Sequence, residues 1–377
     1  MFQNPKNQKR KSRINPPGRV NTDNKKYELV KKKMQFAVGY QLPNGESMSD
    51  IVRDYREHIA EVYFSWPGTA SARAQSSRRR GCTDRKTRQI LEEELHSIRA
   101  MGIKRDLLFN ANCYGEKAIS RSLENQVRSI IDHLGEKVGG ADIVTTVSPF
   151  VARTVKRFFP SIEVRASVNL RIGTIQALAY SREWFDSYYI QRDVQRHIPY
   201  VRRLKEWADR NGKQLCILAN SGCLRYCPAQ TFHDNLVAHD EGVGETVNIS
   251  DWNPHLCWSL YRDRKNWPAI LQASWIRPED LHHYEGLVKV VKLATRMHTH
   301  PRLVVHAYAG RKYDGNLLDF FEPGFGPAFA PYLIHNARFP KDWFQKTSAC
   351  YEPDCDTCGY CRSVLEKVLV HSGQLSE

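Results

Sequence analysis

Ile143-Val-Thr-Thr-Val147-Ser-Pro149-Phe-Val-Ala-Arg-Thr-Val-Lys-Arg-Phe-Phe159-Pro160-Ser-Ile-Glu163-Val-Arg-Ala-Ser-Val168 is the stretch on which the fold turns. A β-branched run over Ile143–Val147 leads into Pro149, and Pro160 follows Phe159. Proline is tolerated in the first turn of a helix and breaks its interior, so the segment between the two prolines reads as one helix. A second β-like run, Glu163–Val168, follows at once. Two strands joined by a crossover helix lie parallel.

The alternation recurs on both sides. Further β-like runs lie at Gln35–Val38, Glu61–Ser65, Leu107–Asn110, Tyr188–Gln191, Leu215–Ala219 and Val288–Leu293. Helical stretches stand between them: Asp50–Ile59 behind Ser49, Arg85–Met101 stopped by Gly102, Ile119–Leu134 stopped by Gly135, Ile172–Arg182, and Val194–Asn211 closed by Gly212. Eight repeats within residues 34–300 predict an α/β protein, a TIM-like (β/α)8 barrel rather than an open sheet. One interval departs from the rhythm. The insert 220–285 separates the seventh and eighth strands, and a stretch that long inside a compact domain is as a rule functional. The expected organisation is a flexible basic arm at 1–33, the barrel with its insert at 34–300, and a Cys-rich C-terminal extension at 301–377.

Composition narrows the function classes. The chain has 377 residues, 41% of them hydrophobic, enough for a packed core. No apolar run approaches the roughly 18 residues that span a bilayer, so membrane insertion is not expected. The basic start, MFQNPKNQKRKSR, has no apolar stretch behind it, which argues against a secretory signal and for a cytoplasmic location. The net charge of +15 is local: residues 1–33 carry +9, residues 73–88 carry +6, and the rest is balanced. Arg78, Arg79 and Arg80 centre the second block, in the loop after strand two. A positive collar on a barrel mouth attracts phosphate backbones, so a nucleic acid is the expected partner, with a solvated charge run as the plain alternative.

Ten cysteines in a reducing compartment point to metal rather than disulfides. The densest set is Cys350-x4-Cys355-x2-Cys358-x2-Cys361. Zinc sites usually join two separated pairs, whereas three cysteines at x2 spacing with a fourth nearby suit an iron–sulfur cubane. Zinc stays open there, with His371 as a spare ligand. The second set is Cys223-Leu-Arg-Tyr-Cys227-Pro228, with Cys257 as third ligand thirty residues later. Its fourth ligand is left open between Cys113, Cys82 and a non-protein group, while Cys216 reads as a small buried side chain.

Active sites of such barrels lie at the C-terminal strand ends. There the sequence offers Asn110, Asn169, Arg192, Asp193, Asn220 and Arg296, a polar ring suited to an oxygen-rich or anionic substrate, although Asn and Asp also cap helices. Asn110, Asn169 and Arg296 are the candidates for orienting substrate, and His233, just past the cysteine pair, is the candidate acid–base group. Trp252 and Trp258 in the insert are candidates for stacking a base, or for the core. His282-His283 and His298-x-His300 read as solvated. Zinc-protease, nucleophile-elbow and phosphate-loop motifs are not found.

The run Ile217-Leu-Ala-Asn220-Ser-Gly-Cys223-Leu-Arg-Tyr-Cys227-Pro228-x4-His233 resembles the cysteine motif of the collagenase-like U32 peptidase family. Tyr188-Tyr-Ile-Gln-Arg192-Asp193, Ser274-Trp-Ile-Arg277-Pro278-Glu279-Asp280, and Val290-Val-Lys-Leu-Ala-Thr295-Arg296 are similar to its other signatures, with Thr295 where a Gly is usual. The resemblance covers roughly residues 100–300. It implies a 4Fe-4S barrel enzyme, since better-understood members hydroxylate RNA or ubiquinone precursors, with prephenate as hydroxyl donor in the RNA branches. It implies one or two iron–sulfur clusters, Cys223, Cys227 and Cys257 as cluster ligands, and an electron donor as partner. The rival expectations are a peptidase, as the family name says, a non-enzymatic iron–sulfur or zinc protein that binds nucleic acid, and a zinc-dependent base exchanger.

Overall fold

The computed structural model describes residues 34–43, 45–72, 84–239, 243, 249, 252–350 and 354–374. The expected arm at 1–33, the Arg78–Arg80 block and Cys82 lie outside them. Eight parallel strands close on themselves in chain order: β1 (Gln35–Gly39), β2 (Ile59–Ser65), β3 (Lys104–Phe109), β4 (Ile143–Thr146), β5 (Glu163–Ala166), β6 (Ser187–Tyr189), β7 (Gln214–Leu218) and β8 (Val290–Leu293). Closure is made by β8 pairing with β1, Val290 opposite Gln35 and Leu293 opposite Val38. The predicted (β/α)8 barrel is therefore the observed fold.

The helices form where local chemistry starts and stops them. In α4 (Pro149–Phe158) the Ser148 side chain accepts from the Val151 amide, and the prolyl residue takes a first-turn position where no amide is needed. The expected stop at Gly135 is wrong. Helix α3 (Arg121–Val138) runs through it to Gly139, whose φ of 77° ends the helix. Its buried stripe continues past the glycine to Val138, and that packing outweighs the roughly 1 kcal/mol a mid-helix glycine costs. The expected helix Asp50–Ile59 is likewise shorter. Helix α1 (Met48–Asp54) is capped by Ser47 rather than Ser49, and Ile59 opens β2 opposite Phe36. Val194–Asn211 divides into Arg192–Gln195 and Ile198–Arg210, because Pro199 belongs to a new first turn.

Packing is in two layers. The large core cluster joins the outer faces of the strands to the helices. Inside the barrel a smaller cluster holds Ala37, Tyr63, Leu108, Tyr189, Cys216 and Val290. Cys216 is thus a buried interior side chain, as its place in the strand suggested. The rest of the interior is ionic. Arg165 on β5 reaches across to Glu61 on β2, and also bonds Glu163 at 2.9 Å and the Tyr189 hydroxyl at 3.2 Å.

The chain leaves the barrel between Leu218 and Val290 and returns through short helices, Gln230–Ala238 (α8), Leu256–Tyr261 and Ala269–Gln272, and a 3-10 turn at Pro278–Tyr284. Beyond β8, helix Pro301–Gly310 packs on the barrel through Val304, Val305 and Tyr308. The extension then folds back, pairing β9 (Tyr332–Ile334) antiparallel with β10 (Leu369–His371). Among the described residues no helix is long and apolar enough to cross a membrane.

Candidate active site

The site starts at the end of β7. Asn220 is fully buried, and its amide donates to the carbonyls of Ala294 and Phe320 while its oxygen accepts from the Ala294 amide at 2.6 Å. It acts as a clasp between the β7 end, the β8 end and the extension. The extension lies directly alongside: Glu322 donates its amide to Asn220, and Gly222 donates to Glu322. A side chain at Gly222 would come within 2.6 Å of the Pro323 carbonyl, so only glycine permits this approach. The chain next turns at Tyr226, in the left-handed region at φ 55°, where its amide bonds the Asp193 carboxylate at 2.9 Å. Cys227 follows and leads into α8.

These constraints bring Cys223, Cys257 and His233 to one cleft of about 800 Å³, together with His255, His298 and Glu322. The rings of His233 and His255 meet edge to face at 4.7 Å. Cys227 adjoins, since each of Cys227 and Cys257 feels the charge of Cys223. Burial first, and Cys223 second, push the Cys257 thiol up to about 11. Burial likewise raises Cys227, against the pull of Arg192 and Arg171. Crowded thiols of this kind resist ionisation alone and ionise when metal supplies positive charge.

The donor types present, three thiols, are those that both zinc and iron–sulfur clusters take. Four thiolates at about 2.3 Å from a zinc ion lie about 3.8 Å from one another. Among the described residues no group of three or more His, Cys, Asp or Glu is placed to hold a metal ion. A cluster spreads its cysteines over separate iron corners, and three soft thiols with two nearby arginines suit its negative charge. Cys113 lies in the loop after β3, where its sulfur accepts from the Gly115 amide.

The other predicted residues are distributed around the mouth. Arg296 is buried after β8 and donates to the Ser71 hydroxyl at 3.1 Å. Asn110 ends β3 and accepts from the Ala72 amide, and Asn169 sits in a 3-10 turn after β5; neither lines the cleft. Trp258 lines the cleft against Phe325, while Trp252 is exposed and pairs with exposed Phe232 at 6.0 Å. His371 stands on β10 against Tyr332 and lines a separate cavity, apart from the tail cysteines.

Sequence reasoning missed several groups. His298 is buried rather than solvated. Its Nε2 meets the Asp319 carbonyl at 2.7 Å and its Nδ1 accepts from the His300 amide, which fixes a neutral tautomer that burial also favours. Lys292, inside the family-like β8 run, points its ammonium at the Tyr63 ring 3.7 Å away. Burial lowers its pKa and raises that of Asp106. The alternation of β8, with Lys292 two residues from Val290 on the inward face, was the signal available for it.

The fold and this mouth define a (β/α)8 barrel of the enzyme type, its reactive groups gathered at the C-terminal strand ends. No family model matches the chain. It is 24% identical over 284 residues to an uncharacterized protease of Methanocaldococcus jannaschii, covering 74% of this chain and 81% of that protein. Among solved structures it is similar to the U32 peptidase Mk0906, with a TM-score of 0.48, 16% identity, and 69% of this chain and 92% of the other covered. An enolase from Bradyrhizobium complexed with magnesium and mandelic acid aligns at a TM-score of 0.31 and 9% identity, over 53% of this chain and 48% of that one.

Proposed function

We propose that the chain is an iron–sulfur-dependent enzyme that hydroxylates or otherwise modifies an anionic substrate, RNA, at this cleft. The observation that carries the reading is the convergence of Cys223, Cys257 and His233 on one cleft, with Cys227 four residues past Cys223. The three cysteines would hold a 4Fe-4S cluster, leaving one corner without a cysteine among them. Bound there, the cluster supplies one-electron chemistry at the cleft wall, and an electron donor is the implied partner. Arg192 and Arg171 offset its negative charge. His233 holds or moves a proton in the cleft, with the His255 ring packed edge to face against it. Arg296 is buried and does not line the cleft, so its charge acts on a carboxylate or phosphate there, such as that of the prephenate the family resemblance implies, at a distance rather than by contact. Trp252 and Phe232 offer an exposed aromatic platform for an unstacked base.

The test is anaerobic purification with iron, sulfide and zinc quantified. A cubane needs four irons, so fewer than about two per chain, with zinc present, overturns the reading. Nucleoside mapping of RNA from a deletion strain tests the substrate, and an unchanged profile removes RNA. Replacing Arg78, Arg79 and Arg80 by Gln should flatten the salt dependence of single-stranded RNA binding by about 0.7 in slope per lost phosphate contact. A second reading, peptidase, is favoured by the name of the archaeal relative. Peptide hydrolysis that survives removal of the iron would establish it.

A further inference from the structure

The tail cysteines lie against the loop of the first cysteine set. Asp354 caps the short helix Cys355–Cys358 by accepting from the Thr357 amide at 3.2 Å. Gly359, at φ 62°, then turns the chain into helix Tyr360–Val368, so that Cys355, Cys358 and Cys361 gather around one corner. Cys350, Cys355 and Cys361 line a cavity of about 130 Å³ together with Leu224, Arg225 and Tyr226. These three are the residues between Cys223 and Cys227. Cys358 is exposed beside them.

Arg225 fastens the two parts. Its Nε donates to the Asp193 carbonyl at 2.8 Å and its Nη2 to the Cys350 carbonyl at 3.0 Å. Arg196 stands on the same cavity, its guanidinium 5.3 Å from the Trp275 ring and 5.1 Å from Trp343, donating to the Leu271 and Ala273 carbonyls. Its charge bears on Cys361, and that of Arg225 bears on Cys355.

The space discriminates between metals. Thiolates around one zinc ion touch one another and leave no cavity between them. Here Cys350, Cys355 and Cys361 share the lining of one cavity with Arg196 and Arg225. A larger, anionic inorganic core with cysteines at its corners suits that lining.

We propose that Cys350, Cys355, Cys358 and Cys361 hold an iron–sulfur cluster whose seat is completed by Leu224, Arg225 and Tyr226, so that filling the tail set fastens the Cys223–Cys227 loop. The binding part stands independently of the function proposed above, and only the importance of the fastened loop rests on it.

The full chain is reconstituted with iron and sulfide without oxygen, in three variants. Cys223→Ser/Cys227→Ser should keep about four irons and four sulfides and take up no zinc. Cys355→Ser/Cys358→Ser should lose that complement, and amide exchange across residues 222–228 should quicken at least about tenfold. Arg225→Ala keeps every cysteine and should release tail iron to a chelator several-fold faster than wild type. Zinc without sulfide in the first variant overturns the proposal, as does unchanged exchange in the second or unchanged release in the third. If the first variant keeps its irons and the second has none, the barrel cluster fails and this one stands. The reverse pattern sinks this proposal and leaves the barrel cluster intact.

Discussion

Inside the barrel, Arg165 is enclosed by Glu61, Glu163 and Tyr189, with both its own side chain and that of Glu61 essentially inaccessible. At the mouth, His233, His255, Cys223 and Cys257 face an open cleft. Both regions spend polar side chains where an apolar core could have been built, and they differ in what surrounds each group. The interior arginine has carboxylate and hydroxyl partners on several sides, so its chemistry is used up in holding strands β2, β5 and β6 together. The cleft groups keep a side turned to space that a substrate can fill. Burial with partners makes a structural network, and burial beside a cavity makes a reactive one.

This contrast can be broken from either side. The largest effect is expected for Cys223→Ser, which should abolish turnover and remove the barrel-set iron while leaving the urea midpoint nearly unchanged. Retained iron and turnover would erase the distinction. His233→Asn should keep the iron and slow turnover by about 10²–10⁴-fold, the usual worth of a positioned acid–base group. Arg165→Met is the mirror experiment. It strands buried Glu61 without its cation, while Glu163 keeps Lys289 at 2.8 Å, and urea unfolding should show a loss of about 3–5 kcal/mol. Should Arg165→Met unfold like wild type, the interior network is not structural.

Smaller effects sharpen the same line. Trp252→Ala should weaken RNA binding by about 1–3 kcal/mol, the worth of one stacked base, with stability within about 0.5 kcal/mol of wild type. His298 gives the pH test. Burial lowers its folded pKa below the unfolded value near 6.5. The unfolded chain therefore binds the extra proton first as pH falls. Its stabilising share is complete above about 6.5 and lost progressively below that, toward the folded pKa. His298→Gln should flatten the acid limb of the stability curve, and an unaltered limb would assign acid sensitivity to other groups.

Local pattern carried much of this protein. The strand–helix–strand unit at 143–168, the eight β-like runs and the crowding of Cys350 to Cys361 are all readable in windows of a few tens of residues, because turn chemistry, periodicity and ligand spacing act over that range. Element ends were less legible. The buried stripe of α3 overrode Gly135, since contacts with neighbouring elements decide how far a helix extends.

Closure of the barrel and return of the extension decided the rest. Glu322 enters the cleft because residues 321–324 lie beside Gly222, about a hundred positions earlier in the chain, and no sequence window contains both. His298 looked solvated because its partner, the Asp319 carbonyl, belongs to the extension. Lys292 became notable only once Tyr63 and Asp106 arrived from other strands. The sequence alone determined which residues are able to form strands, helices and metal sites. Tertiary structure decided which of them meet, because long-range pairing brings distant donors, acceptors and thiols within the few ångströms over which they interact.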